Sequence, residues 1–145
     1  MEILKAARND LKEILAIEND SFKKPFTEIN MVYELEENPF SYFLVAKENE
    51  EIVGYIIFWI TFDTATICKI ATKKACRNQG FALKLLEKSE EILKKNDVEF
   101  YTLEVRESNF PAINLYKKFG FSVITTKEKY YEDGENALYM MKGEI

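Results

Sequence analysis

Ile70-Ala71-Thr72-Lys73-Lys74-Ala75-Cys76-Arg77-Asn78-Gln79-Gly80-Phe81-Ala82-Leu83-Lys84-Leu85-Leu86 is the stretch whose reading decides the fold. It reads as the end of a strand, a short basic loop and the start of a helix. At its centre, Arg77-Asn78-Gln79-Gly80-Phe81-Ala82 follows the pattern Gln/Arg-x-x-Gly-x-Gly/Ala. A helix begins with backbone N–H groups that have no partner inside it, and their partial positive charge favours an anion. Gly80 leaves the backbone open to close approach, and Ala82 is small for the same reason. Between Asp63 and Glu87 there is no acidic residue, while Lys69, Lys73, Lys74, Arg77 and Lys84 fall in that interval. The chain carries −5, so without these five cations the remainder stands at −10. A cationic loop at a helix N-terminus in an acidic protein suits phosphate. A solvated basic turn is the alternative that this stretch alone leaves open. Neither the P-loop pattern nor Gly-x-Gly-x-x-Gly occurs.

Working outward, Thr64–Ala71 is a strand, the helix runs from about Gln79 to Lys95, and Glu99–Arg106 is the next strand. Such a unit is a right-handed parallel crossover, and ligands in such sheets sit beyond the C-terminal strand ends, again at residues 70–82. Upstream, Glu2–Ala6 is a strand, and Asn9 or Asp10 can cap a helix to about Asp20 with Leu11, Ile14, Leu15 and Ile17 inward. Pro25 keeps Lys24 out of helical geometry in the linker Ser21–Phe26. Thr27 can cap a second helix to about Glu37, with Ile29, Val32, Tyr33 and Leu35 as apolar contacts. Ser41–Lys47 and the β-branched and aromatic run Glu51–Ile60 are strands. Downstream, Ser108 or Asn109 caps a helix with Pro111 in its first turn, which Gly120 stops. Phe121–Lys127 and Ala137–Lys142 are the last strands, with Asp133-Gly134 at a turn between them. The order βααβββαβαββ specifies an α/β (α+β) fold, a mixed sheet flanked by about four helices.

At 145 residues the chain is read as one domain, 1–145. No apolar run of about 18 residues occurs, so nothing spans a membrane. Met-Glu-Ile-Leu-Lys is not a signal peptide, and a cytoplasmic protein with two reduced thiols is expected. With no His and only Cys68 and Cys76, a zinc site is not expected. Net acidity argues against nucleic acid and suits a basic protein partner.

Glu104 stands inside the apolar strand Phe100-Tyr101-Thr102-Leu103-Glu104-Val105-Arg106. If both faces of that strand are covered, burial raises its pKa and suits it as a general base. A salt bridge to Arg106 or to a lysine across the sheet is the competing reading. Tyr116 shares a helical stripe with Ala112, Leu115 and Phe119, so it is a core aromatic by spacing. A phenol can also act as a general acid. Asn109 is an N-cap or a ligand contact. Cys76 lies in the basic loop, but no His is present to activate it.

Several segments together resemble the Gcn5-related N-acetyltransferase (GNAT) superfamily, and within it the bacterial ribosomal-protein-alanine N-acetyltransferases (the RimI group). They are the Arg77–Ala82 loop, Ile70-Ala71-Thr72 before it, and the run Leu103-Glu104-Val105-Arg106 through Ser108-Asn109, Ala112-Ile113-Asn114-Leu115-Tyr116 and Gly120-Phe121. The resemblance implies a GNAT-like, mostly antiparallel seven-stranded sheet and an acetyl-CoA-dependent enzyme that needs no metal. It implies that Arg77, Asn78, Gln79, Gly80, Phe81 and Ala82 hold the CoA pyrophosphate, and that the strand edge at Ile70, Ala71 and Thr72 binds the pantetheine arm. It makes Glu104 the base, Tyr116 the acid toward the leaving thiolate, and Asn109 a CoA contact. The implied acceptor is the N-terminal alanine of a basic ribosomal protein, met by a monomeric enzyme. A small amine, a lysine side chain, or a non-catalytic acyl-CoA-binding module are the alternatives. The chain departs from the family at Pro25-Phe26-Thr27, where relatives often carry Pro-Trp-Ser/Thr, and at Asn136-Ala137, where they often carry Asp-Ala. Both segments border the acceptor pocket in the family.

Overall fold

The computed structural model describes residues 1–145. Seven strands form one sheet: β1 Glu2–Lys5, β2 Ser41–Glu48, β3 Glu51–Thr61, β4 Thr64–Thr72, β5 Phe100–Arg106, β6 Ser122–Lys127 and β7 Ala137–Gly143. Their spatial order is β1-β2-β3-β4-β5-β7-β6. Every neighbouring pair is antiparallel except β4 and β5. The helix between those two, α3 (Phe81–Lys95), is the crossover the sequence called for.

Two helical layers cover the sheet. On one face α3 and α4 (Phe110–Phe119) enclose a core with Ile56, Phe58, Leu85, Leu86, Leu93, Tyr101, Leu103 and Met140. On the other, α1 (Leu11–Ser21) and α2 (Glu28–Val32) cover Phe43, Val45, Tyr55 and Ile57. Successive residues of β3 thus serve opposite cores, which is why the strand reads as a near-continuous apolar run rather than an alternation. No helix is long and apolar enough to cross a membrane.

Local chemistry accounts for most boundaries. Thr27 Oγ1 accepts from Asn30 N–H at 3.3 Å while Asn30 Oδ1 accepts from Thr27 N–H at 3.0 Å, a reciprocal cap on α2. Gly120 at φ +111 ends α4 in a left-handed cap. Three expectations are corrected. Neither Asn9 nor Asp10 caps α1 with its side chain; a 3₁₀ turn, Arg8–Asp10, precedes it, and the Asp10 carboxylate accepts backward from Ala7 N–H at 2.8 Å. Helix α3 starts at Phe81, not Gln79, because Asn78 (φ +63) and Gly80 (φ +84) hold left-handed conformations that a helix does not contain. Ile29 in α2 and Tyr33 just after it face solvent, and Met31 is the buried residue of α2. A π turn over Tyr33–Glu37 continues that helix and shifts the phase of its inner face.

Candidate active site

The sheet opens between β4 and β5. Their parallel pairing covers only Thr64–Ile67 against Phe100–Leu103. On the other side of β4 the register with β3 passes from Ile67 opposite Phe58 to Lys69 opposite Ile57, leaving Cys68 as a bulge. A bulge bends its strand and increases the local twist, and the last β4–β5 pair lies immediately before it. Beyond that point Lys73 N–H donates to Val53 O at 2.8 Å. Antiparallel pairs alternate between hydrogen-bonded and non-bonded, so Ala71 bonds to β3, whereas the N–H and C=O groups of Ile70 and Thr72 face the gap. Thr72 O accepts from Arg77 Nε at 3.2 Å.

The loop above this edge is a 3₁₀ turn, Lys74–Cys76, followed by the exposed residues Arg77–Gly80. Arg77 reaches Thr72 O and Ser21 Oγ (3.4 Å), and Gln79 Nε2 donates to Ala75 O at 3.3 Å. These two side chains therefore strap the loop to its surroundings. The N–H groups of Gly80, Phe81, Ala82 and Leu83 have no acceptor within the chain, and Gly80 supplies no side-chain cap. A Cβ at Gly80 would meet nothing within 4 Å. Phe81 is buried and pins the first turn of α3 to the core. The result is a set of outward-facing donors at the positive end of a 15-residue helix, flanked by lysines, which fits a pyrophosphate.

Glu104 projects on the α1/α2 face of β5, and its side chain is 26% exposed rather than enclosed on both sides. Lys127 Nζ lies 2.6 Å from its Oε2, and Tyr130 Oη donates to its Oε1 at 3.1 Å. The lysine across the sheet is thus its ion-pair partner. Arg106 goes instead to Asp133 and Glu135, at 2.9 Å each. Hydrogen bonding to Glu104 raises the Lys127 pKa, and burial, followed by the Glu104 charge, raises that of Tyr130.

Tyr116 is buried and meets Phe121 edge to face at 5.8 Å. Burial first, then Tyr131, push its phenol pKa up, so it keeps its proton at neutral pH. Its hydroxyl makes no hydrogen bond within the chain, yet the oxygen is not among the sealed, unpartnered ones. It therefore reaches accessible surface from an otherwise buried ring. Burial raises the Tyr131 phenol pKa as well, and the Glu104 charge adds to that rise. Asn109 Oδ1 accepts from Ala112 N–H at 3.3 Å, which makes it the N-cap of α4.

Two segments frame the Glu104 side of the gap, and their supports were not read from the sequence. The Glu18 carboxylate is fully buried and accepts from Phe26 N–H (2.8 Å), from the Tyr55 hydroxyl and from Lys69 Nζ (3.0 Å). The Lys69 ammonium lies 3.8 Å from the Phe22 ring centre and 4.6 Å from that of Phe26. The α1–α2 linker is thereby fastened over the bulge. Glu18 follows Ile14 by four residues on the inward stripe of α1, which is the signal that could have found it. Opposite, Glu135 accepts from Ser108 N–H at 2.9 Å and from Arg106, and Tyr131 stacks 4.0 Å from the Arg106 guanidinium. This holds the β6–β7 loop against the end of β5. Lys23–Asp133 (3.5 Å) and Lys24–Glu132 pairs join the two segments.

The model of the acetyltransferase (GNAT) family matches residues 11–121. The chain belongs to this family. It is an N-acetyltransferase of the GNAT fold. It is 39% identical over 145 residues to a Bacillus subtilis protein provisionally named as a ribosomal protein bS18-alanine N-acetyltransferase, covering 97% of this chain and 96% of that protein. It is 34% identical to an N-alpha-acetyltransferase of Sulfurisphaera tokodaii, covering 95% of this chain and 90% of that one. The crystal structure of the ribosomal-protein-S18-alanine N-acetyltransferase from Escherichia coli superposes with a TM-score of 0.89 at 29% identity, covering 98% of this chain and 92% of that one. The parallel β4–β5 pair that opens after Ile67 and the loop before α3 are thus parts of a GNAT acetyltransferase.

Proposed function

We propose that this acetyltransferase moves an acetyl group from acetyl-CoA to the α-amine at a protein N-terminus, in the first place the N-terminal alanine of a small-subunit ribosomal protein in the cytoplasm. The observation that carries the reading is the coincidence, at one opening of the sheet, of unpaired donors and a strand edge on one side with Glu104 on the other. The Gly80–Leu83 amides would take the pyrophosphate, with Arg77 and the neighbouring lysines adding positive charge. The free N–H and C=O groups of Ile70 and the free N–H of Thr72 would take the amide-rich pantetheine arm as a strand takes its neighbour, while the Thr72 carbonyl is held by Arg77. Acetyl-CoA supplies an activated acyl group on a good leaving thiolate.

The chain's own residues handle the protons. An α-amine has a pKa of about 8, so much of it arrives as ammonium at neutral pH. Glu104 accepts that proton, directly or through a water, and frees the lone pair for attack. Tyr116, protonated and reaching surface from a buried ring, gives a proton to the departing sulfur, and the second proton that the nitrogen sheds as the amide forms makes good that loss. Asn109 holds the start of α4 and contacts CoA from that position. The names of the relatives support the acceptor: bS18-alanine enzymes in bacteria and N-alpha-acetyltransferases in archaea all act at N-termini by name. The archaeal relatives also favour a second reading, in which the acceptor is a wider set of N-termini.

Glu104→Gln tests the reading. General acid–base groups contribute about 10²–10⁴-fold, so kcat at pH 7 drops within that range while CoA binding survives. The deficit shrinks as the pH passes the acceptor's own pKa. Wild-type turnover from pH 6 to 9 would remove Glu104 from the reaction.

A further inference from the structure

The surroundings of Glu104 have the composition of a site for an ammonium ion. Its two oxygens are engaged from different directions, by Tyr130 Oη at 3.1 Å and by Lys127 Nζ at 2.6 Å. The Lys127 ammonium also lies 5.4 Å from the Tyr130 ring centre and 5.1 Å from that of Tyr139. Tyr139 stands directly opposite Glu104 in the β5–β7 register, so its ring lines the same patch of sheet. One carboxylate and two aromatic faces within about 6 Å are what an organic cation seeks. In the proposed reaction the acceptor arrives as an ammonium ion and must reach this carboxylate. A second cation on the same carboxylate repels the first.

We propose that Lys127 occupies the acceptor's ammonium subsite on Glu104 and is displaced when the acceptor binds. The inference rests on the reading of Glu104 as the base for an N-terminal amine. Lys127 is suited to leave. It is the last residue of β6, an edge strand whose residues are all exposed, and its side chain is 42% exposed. Exposed ion pairs are weak, and its four-carbon stem can turn the ammonium into water. Lys127 is therefore an internal competitor that sets the acceptor KM. It also keeps the base from standing as an unpartnered charge between turnovers. A supporting role would differ in kind: a lysine that aligned Glu104 for proton transfer would be needed for kcat.

The test is steady-state kinetics with an Ala-initiated peptide at saturating acetyl-CoA, comparing the wild type, Lys127→Gln and Lys127→Arg. Removing the charge should lower the peptide KM roughly two- to fivefold, the fold-change that an exposed pair's strength converts to, with kcat within about twofold. Lys127→Arg, which keeps a cation there, should retain the wild-type KM. A KM that is unchanged or raised in Lys127→Gln, or a loss confined to kcat, overturns the proposal while leaving N-terminal acetylation intact. A second measurement uses the wild type alone. Trace labelling with isotopic acetic anhydride, read by peptide mass spectrometry against Lys94, should show Lys127 becoming more reactive when acceptor peptide saturates the enzyme. Unchanged reactivity overturns displacement. If the wild type binds CoA but acetylates no free N-terminus, the acceptor reading itself fails and the inference falls with it.

Discussion

Replacing Gly54 with Ala should loosen both the fold and the cofactor site. Gly54 lies in β3 opposite Thr72, and a Cβ built on it comes to 2.9 Å from the Ala71 carbonyl oxygen and 3.4 Å from Leu85 Cδ1. Its backbone is in a region any residue adopts, so space alone excludes a side chain. The atom it strikes first is backbone, which cannot rotate away, and β4 must move. Overpacking of this kind costs about 1–3 kcal/mol, against which Ala regains about 0.4–1 kcal/mol through the unfolded chain. The net loss is about 1–2 kcal/mol, or roughly 3–8 °C in Tm for a domain of this size. Because the displaced segment is Ala71-Thr72, the free edge that faces the gap moves as well. Differential scanning fluorimetry with and without CoA, backed by calorimetric titration, reads both effects. The expected result is a lower Tm and a CoA affinity reduced by at least severalfold. A Tm within a degree of wild type would refute the packing argument. A lowered Tm with unaltered CoA affinity would refute the placement of the pantetheine arm on β4.

Tyr116→Phe keeps the ring against Phe121, so Tm should hold while kcat drops by about 10²-fold or more; a lower Tm at wild-type kcat would return Tyr116 to packing alone. CoA at 100 times its Kd should stabilise the wild type by about 2.7 kcal/mol, and Arg77→Glu should cut its affinity about tenfold, or 1.4 kcal/mol; an undiminished Tm gain in that variant would separate Arg77 from the phosphate site. Hydrogen bonds from Ser108 and then the Arg106 guanidinium hold the Glu135 pKa down, from 4.5 to about 2. Its stabilising contribution is therefore present above pH 4.5 and lost as the pH falls through 2. Glu135→Gln should melt below the wild type at pH 7, with the gap closing between those values; an equal gap at pH 7 and pH 2 would contradict this.

Much of the fold was legible because its signals are local. Gly120 stops α4, Thr27 caps α2, and the basic loop between Thr72 and Phe81 announces a strand-to-helix crossover. The start of α3 was misplaced because Asn78 and Gly80 take left-handed conformations that a helical pattern conceals. The inward face of α2 was misread at Ile29 because that residue sits in the exposed first turn of the helix, and Met31 is the one that packs into the core with Phe43 and Tyr55. The candidate site was legible where chemistry and backbone coincide, as at Gly80, Ala82 and Glu104. It was illegible where partners come from distant strands. Nothing in the sequence near Glu104 names Lys127 or Tyr130, and the buried Glu18–Lys69 pair spans 51 residues. Gly54 was a missed signal of another kind: a glycine inside an apolar strand marks a close backbone approach.

The most direct measurement is site-resolved mass spectrometry of a peptide with a free N-terminal alanine and internal lysines, incubated with acetyl-CoA and the wild-type protein. The account predicts a single acetyl group on the α-amine, formed at a rate that falls about 10²–10⁴-fold with Glu104→Gln. Acetylation of the internal lysines at an equal rate in a peptide whose N-terminus is blocked would contradict it.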